Sequence, residues 1–415
     1  MIKAPTVPAS PLRGRYLIRN PALNAWLRLL DTAVTPFARP ELRRPTERPR
    51  RLLIAIGGHL GDAVIATSVL PALARWSPET ELGMLLPSSA RVVVDGHPRL
   101  RWIHAVDHWK TSRSTQRLIA KWSRYRSTRR CALREIAAVG YDVAIDLYAY
   151  YPNMARLLRS AGIPVRIGYR SGGCGPLYTR AIDWNFTHEH TAIQHLRLLG
   201  ALDPDFVERI AASDLRYDLP PLDAADRVDT DTVLDSAGLD RGGFVVLHPG
   251  TGAAHKAWPM AHWRELAARL RADEHRVVVT GTGIAEAKIA KRILQDIPDG
   301  VNWCGQLSWR EFRGVMYAAR AVVGVDSVAV HVAAGDGTPC VAIMPGVNDI
   351  DQWRPLGERC AVVTNLTPCA PCFRNTGCAM MECIREVSVD AVLETLGTLV
   401  ELRDARAAVP LAGRV

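Results

Sequence analysis

Arg51-Leu52-Leu53-Ile54-Ala55-Ile56-Gly57-Gly58-His59-Leu60-Gly61-Asp62 is the stretch on which the fold turns. Its apolar run suits a strand buried on both faces of a parallel sheet. The glycines then turn the chain. Asp62 opens a segment reaching Trp76 in which Val64, Ile65, Val69 and Leu73 recur at helical spacing. A strand that passes through a glycine turn into a helix leaves backbone N–H groups free at the helix start, where phosphate is readily held.

The same alternation continues outward from that stretch. Strand signals at 81–86, 102–106, 143–147 and 165–168 are separated by helical segments, which predicts a doubly wound sheet. The pattern fades over 214–223, where Pro220 and Pro221 flanked by acids suggest a linker. A second series follows, with strands at 244–247, 277–280, 321–324 and 340–344. Helices are expected at 262–271, 286–294, 309–319, 328–334 and 389–402. The expected organisation is a basic arm over 1–50, a first Rossmann-like domain over 51–215 and a second over 216–415. The last of these carries a cysteine-rich segment at 369–383.

At 415 residues and net charge +10, the chain has the length of two ordinary domains and an excess of cations. Residues 1–51 hold eleven Lys/Arg against Asp31, Glu41 and Glu47, and within them Leu23, Trp26, Leu27, Leu29 and Leu30 suit one short amphipathic helix. A second block runs from Lys110 to Arg134 without an acid. Such patches attract anionic membrane or a phosphorylated substrate, or else form a solvated helix face. Aromatics suited to base stacking are few there (Trp109, Trp122, Tyr125), so nucleic acid is not an expected partner. No apolar run is long enough to span a bilayer and no secretory leader is evident. The expectation is a cytoplasmic protein, peripheral at the inner face of the membrane.

Three separated segments carry the candidate chemistry. Gly61 and Asp62 follow the first strand. Pro249-Gly250-Thr251-Gly252 and Lys256-Ala257-Trp258-Pro259 follow the strand at 244–247. Asp326-Ser327 and His331 follow the strand at 321–324. Asp62 is suited to cap its helix or to act as a general base. Thr251, Gly252 and Lys256 can hold diphosphate oxygens and offset the charge that grows on a leaving diphosphate. His331 can donate to a phosphate oxygen or sit satisfied in the core. Glu286, after Gly281-Thr282-Gly283, can accept ribose hydroxyls or simply favour a helix start. Asp229-Thr230-Asp231 superficially matches a cation-holding carboxylate pair, but its place beside the linker favours capping. Of nine cysteines, Cys369, Cys372, Cys378 and Cys383 crowd together, at a spacing a tetrahedral thiolate site accepts; zinc or a single iron suits four sulfurs, and free or disulfide-linked thiols are the alternative.

Taken in order, these motifs resemble glycosyltransferase family 9, the inverting enzymes typified by ADP-heptose:lipopolysaccharide heptosyltransferases. The resemblance covers roughly 51–400 and adds Gly305…Leu307-Ser308…Glu311-Phe312 and Gly337-Thr338-Pro339 to the segments above. It implies a GT-B fold, two Rossmann-like domains facing each other across a cleft. It implies transfer of a heptose from ADP-heptose to a lipopolysaccharide core-type acceptor, with Asp62 as base and Lys256 at the diphosphate. Gly61, Thr251, Gly252, Glu286, Asp326, Ser327 and His331 are then donor-binding, and the chemistry needs no cofactor. A protein acceptor of autotransporter type, or a non-catalytic nucleotide-sugar binder, remain alternatives. The autotransporter branch carries a cysteine segment that looks like an iron-binding finger. Family members usually have glycine after the Asp-Ser pair. Val328 stands there in this chain, which bears on how closely the backbone approaches the diphosphate.

Overall fold

The computed structural model describes residues 16–17, 20–37, 48–184, 188–203, 215–374 and 376–407. Much of the basic arm, including Lys3, Arg13, Arg15, Arg19, Arg39, Arg43 and Arg44, lies outside the described residues. The chain divides into two compact units, Met1–Pro220 and Pro221–Val415.

The first unit is a parallel sheet of β1 (Arg51–Ala55), β2 (Glu81–Leu86), β3 (Leu100–Ala105), β4 (Val143–Asp146), β5 (Val165–Tyr169) and β6 (Arg180–Ile182), ordered β3-β2-β1-β4-β5-β6. Its helices are α1 (Pro21–Val34), α2 (Leu60–Ala66), α3 (Val69–Trp76), α4 (Leu118–Val139), α5 (Ala155–Ser160) and α6 (Thr191–Leu199). Leu52, Leu53, Ile54 and Ala55 of β1 are fully buried, as a central strand covered on both faces requires. The single helix expected over 62–76 is two. Thr67 and Ser68 turn their hydroxyls back to the carbonyls of Val64 (2.6 Å) and Ile65 (2.7 Å), and the helix breaks there. α1 is anchored in this unit rather than hung from it. Asp31 is buried and accepts from the Tyr16 hydroxyl at 2.8 Å and the Cys174 N–H at 2.7 Å.

The second unit repeats the design with β7 (Phe244–His248), β8 (Arg276–Val279), β9 (Val301–Asn302), β10 (Ala321–Val325), β11 (Cys340–Ile343) and β12 (Cys360–Val363), all parallel and ordered β12-β11-β10-β7-β8-β9. Its helices are α7 (Ala224–Ser236), α8 (Met260–Ala272), α9 (Gly283–Ile293), α10 (Trp309–Ala318), α11 (Val328–Gly335), α12 (Ile350–Trp353), α13 (Glu382–Arg385) and α14 (Val389–Ala407). Val245, Leu247, Leu266, Val277, Val323 and Ile343 form a closed core, each side chain contributing about 1.5–3 kcal/mol by leaving water. Asp223 and Asp226 cap α7 reciprocally. Asp229 and Asp231 lie inside that helix, and Asp231 pairs with Arg241 at 2.7 Å.

Counted from its own first strand, each sheet runs 3-2-1-4-5-6. The order therefore reverses between β1 and β4 in one unit and between β7 and β10 in the other. In such sheets the crevice at the carboxyl ends of that strand pair is where ligands bind.

Candidate active site

Asp62 follows β1 at this reversal point, as the third residue of α2. Its Oδ2 accepts the His59 N–H at 2.6 Å, so the carboxylate caps the helix start. Oδ1 accepts no hydrogen bond among the described residues. Gly58 has to be glycine: a Cβ there would sit 2.3 Å from the Asp62 carboxyl carbon. Gly61 is the second residue of the same helix, so it lies in the first unit, apart in sequence and in unit from the other candidate donor residues.

The neighbouring strand β4 delivers residues that the sequence did not single out. Asp146 ends β4, is fully buried, and accepts from the Tyr178 hydroxyl (2.7 Å), the Met154 N–H (2.6 Å) and the Tyr148 N–H (3.1 Å). Burial raises its carboxyl to about 6. It thereby ties both ends of the 147–154 loop, which carries Tyr148 and Tyr150. Burial, with the charge of Asp62 added, pushes both phenols above their ordinary range, so they stand protonated in the field of that carboxylate. Their signal in the sequence was position alone: the segment after β4 lies beside the segment after β1.

In the second unit the two expected phosphate turns meet. Lys256 ends a short turn after β7 (Ala254–Lys256), and its Nζ lies 2.6 Å from Oδ2 of Asp326, the residue after β10. The turn is anchored behind by Trp258, which is buried, packs edge-on to Trp263 at 5.0 Å and donates its indole N–H to the Val387 carbonyl at 2.9 Å. Asp326 thus positions the lysine. An ammonium has three protons, so Lys256 keeps donors for a ligand. Ser327 precedes α11 in extended geometry, and its Oγ is buried with no hydrogen-bond partner among the described residues. A buried hydroxyl left so is uncommon and fits a site awaiting an acceptor. Val328 begins the helix proper, without the left-handed backbone that would demand glycine. His331 is buried, and burial holds its ring at about 4; the Asp326 charge raises it and the Lys256 charge lowers it, leaving it neutral at pH 7. The Thr251 hydroxyl makes only long contacts to Ala253, 3.4 Å to N–H and 3.5 Å to O, beside an exposed Gly252.

Glu286 reaches back from α9 and accepts the Thr282 N–H at 2.5 Å. Added Cβ atoms at Gly250 or Gly281 would each lie 2.5 Å from its Oε2. The carboxylate is therefore wedged between the turns after β7 and β8, the first of which leads on to Lys256.

The four clustered cysteines are free thiols. Cys383 is buried; burial raises its thiol, the Gly346 N–H lowers it, and Cys372, Cys369 and Cys378 raise it further. The four surround one region, but no three of the sulfurs lie within 4.8 Å of one another among the described residues. A tetrahedral thiolate cage needs about 3.8 Å between sulfurs, so the arrangement does not form one. The segment does back the lysine turn: a Cβ at Gly377 would lie 2.7 Å from the His255 Cβ.

One unit thus offers a helix-capping carboxylate; the other offers an ion-paired lysine, a buried hydroxyl without a hydrogen-bond partner among the described residues, and an acid, each just after a strand of its sheet. The profile of Glycosyltransferase family 9 (heptosyltransferase) matches residues 129–382. The chain is 25% identical over 336 residues to lipopolysaccharide heptosyltransferase 1 of Pseudomonas aeruginosa, covering 79% of this chain and 87% of that protein. It is 23% identical over 304 residues to lipopolysaccharide heptosyltransferase 3 of Escherichia coli, covering 71% and 83%. Among solved structures it resembles E. coli ADP-heptose lipopolysaccharide heptosyltransferase II, with a TM-score of 0.67, 19% identity, and 85% and 99% of the two chains covered. It also resembles a family 9 glycosyl transferase from Veillonella parvula, with a TM-score of 0.71, 17% identity, and 88% and 100% covered. Both likenesses are of fold, the GT-B pairing of two Rossmann-like domains.

Proposed function

The chain belongs to glycosyltransferase family 9, and on that premise we propose that it moves a heptose from ADP-heptose to a lipopolysaccharide core-type acceptor, with inversion. Asp62 takes the proton of the acceptor hydroxyl through its free oxygen. That hydroxyl oxygen attacks the anomeric carbon while the bond from that carbon to the diphosphate breaks, and ADP departs. Lys256, oriented by Asp326, offsets the charge arriving on the leaving diphosphate, and the Ser327 and Thr251 hydroxyls donate to its oxygens. Glu286 accepts from the ribose. His331, buried and neutral, lies in the first turn of the helix that Ser327 precedes, behind that diphosphate position.

The observation that carries this reading is the 2.6 Å Lys256–Asp326 pair beside a buried Ser327 hydroxyl with no partner among the described residues, at the reversal point of the second sheet. No step passes through the four-cysteine segment. No described helix is long and apolar enough to cross a membrane, and the protein is proposed to work as a peripheral protein at the inner face of the cytoplasmic membrane. Incubation with ADP-heptose and heptose-deficient lipopolysaccharide should release ADP and add one heptose to the acceptor by mass spectrometry. A heptose found on a protein instead would replace the acceptor. Absence of ADP release with every acceptor, despite donor binding, would refute transfer.

A further inference from the structure

The first unit presents a face whose composition the transfer chemistry does not use. Trp26 and Leu29 of α1 are exposed, as are Leu118, Ile119 and Trp122 at the start of α4, with Ile119 83% and Leu29 71% accessible. An aromatic chain links the two helices. Trp26 meets Tyr151 at 6.0 Å, Tyr151 meets His108 at 6.4 Å, His108 stacks on Trp109 at 5.5 Å and Trp109 on Trp122 at 5.3 Å. The exposed apolar side chains therefore border one continuous patch.

Beyond Trp122 the outer face of α4 turns cationic. Arg126, Arg130 and Arg134 follow at four-residue spacing and, with Ser123 and Ser127, line a shallow groove of about 380 Å³. Cations elsewhere on this helix serve the fold. Arg124 pairs with Asp107 at 2.6 Å, Arg129 donates to Ser160 at 3.1 Å and Lys121 to the Ser112 carbonyl at 3.1 Å. Arg126 and Arg130 have no acidic partner among the described residues. Glu135, the acid nearest in sequence, is held by His104 at 3.0 Å.

We propose that this face docks on an anionic phospholipid surface. Trp26, Leu29, Ile119 and Trp122 enter the interfacial layer while Arg126, Arg130 and Arg134 meet lipid phosphates. Exposed aromatic and aliphatic side chains beside uncommitted arginines are what an interface with an apolar interior and a charged rim selects. A polynucleotide has no use for Leu29 or Ile119, and Trp109 and Trp122 cover one another's faces, which removes them as platforms for bases. The proposal adds a footprint to the peripheral placement proposed above.

Sedimentation with phosphatidylcholine vesicles containing phosphatidylglycerol tests it without requiring turnover. Wild-type protein should bind these vesicles and leave pure phosphatidylcholine vesicles largely free. The variant Arg126→Glu/Arg130→Glu/Arg134→Glu should lose at least about tenfold in partitioning. A second variant, Leu29→Asp/Ile119→Asp, keeps every arginine and should lose binding at high salt most, where charge is screened. Both should retain wild-type transfer to a soluble, delipidated acceptor. Unchanged partitioning of both variants would overturn the proposal, as would duplex DNA binding lost in the arginine variant with vesicle binding intact. No transfer by the wild type would sink the enzymatic reading while leaving the vesicle result to stand.

Discussion

Lys256 is held at 2.6 Å by Asp326, whose side chain is only 10% exposed, so removing the ammonium strands a nearly buried carboxylate. Lys256→Ala should therefore cost both stability and turnover, the latter by about a hundredfold if the lysine meets charge developing on the diphosphate. The double variant Lys256→Ala/Asp326→Asn separates the two effects. It removes the stranded charge and should recover the melting temperature while turnover stays low. Recovery of both would reduce the lysine to a structural partner. On the proposed reading Ser327 contributes differently, as a buried hydroxyl without a partner among the described residues, so an arriving phosphate oxygen would gain a hydrogen bond without displacing one seen there.

At the scale of elements, the geometry of the proposed site comes from glycine turns set at the ends of strands. Gly58 leaves room for the Asp62 carboxylate, and Gly250 and Gly281 leave room for that of Glu286. Those turns were legible because apolar runs at 51–56, 244–247 and 277–279 precede them. The edge strands β6, β9 and β12 were not, since two to four residues carry no periodicity. The break between α2 and α3 was hidden because Thr67 and Ser68 interrupt a helix through side-chain bonds, without a glycine or proline. Asp146 escaped notice for the opposite reason. Inside an apolar strand it gave no motif, and only the sheet order shows that β4 lies beside β1 at the reversal point. Asp326 was expected to touch the donor, and only coordinates show it gripping Lys256. The cysteine cluster shows the limit of spacing arguments, which find ligand types together without fixing where their sulfurs point.

Across the whole molecule, acid should act on both units through histidines that burial keeps neutral. Burial lowers His248 and His331 in the second unit to about 4, and in the first lowers His195 to about 3 and His108 to about 4. Unfolded histidines titrate near about 6.5. Between that value and about 4 the unfolded chain binds protons that these native rings refuse, so stability falls as pH falls through the window. Asp146 opposes this in the first unit: raised to about 6, it takes up a proton in the native state first, and its share of stability is lost as pH rises through that value. Calorimetry between pH 7 and pH 5 should show a falling melting temperature; a flat or rising value would contradict the assignment.

The central claim is that Asp62 is the base of a glycosyl transfer, and turnover of Asp62→Asn tests it most directly. An asparagine Oδ1 can still accept the His59 N–H, so the helix cap and the fold should persist. ADP affinity should be unchanged, while turnover of ADP-heptose falls by about a thousandfold, within the range for loss of a general base. A variant that folds, binds ADP and turns over within about threefold of the wild type, well under that range, would contradict the account.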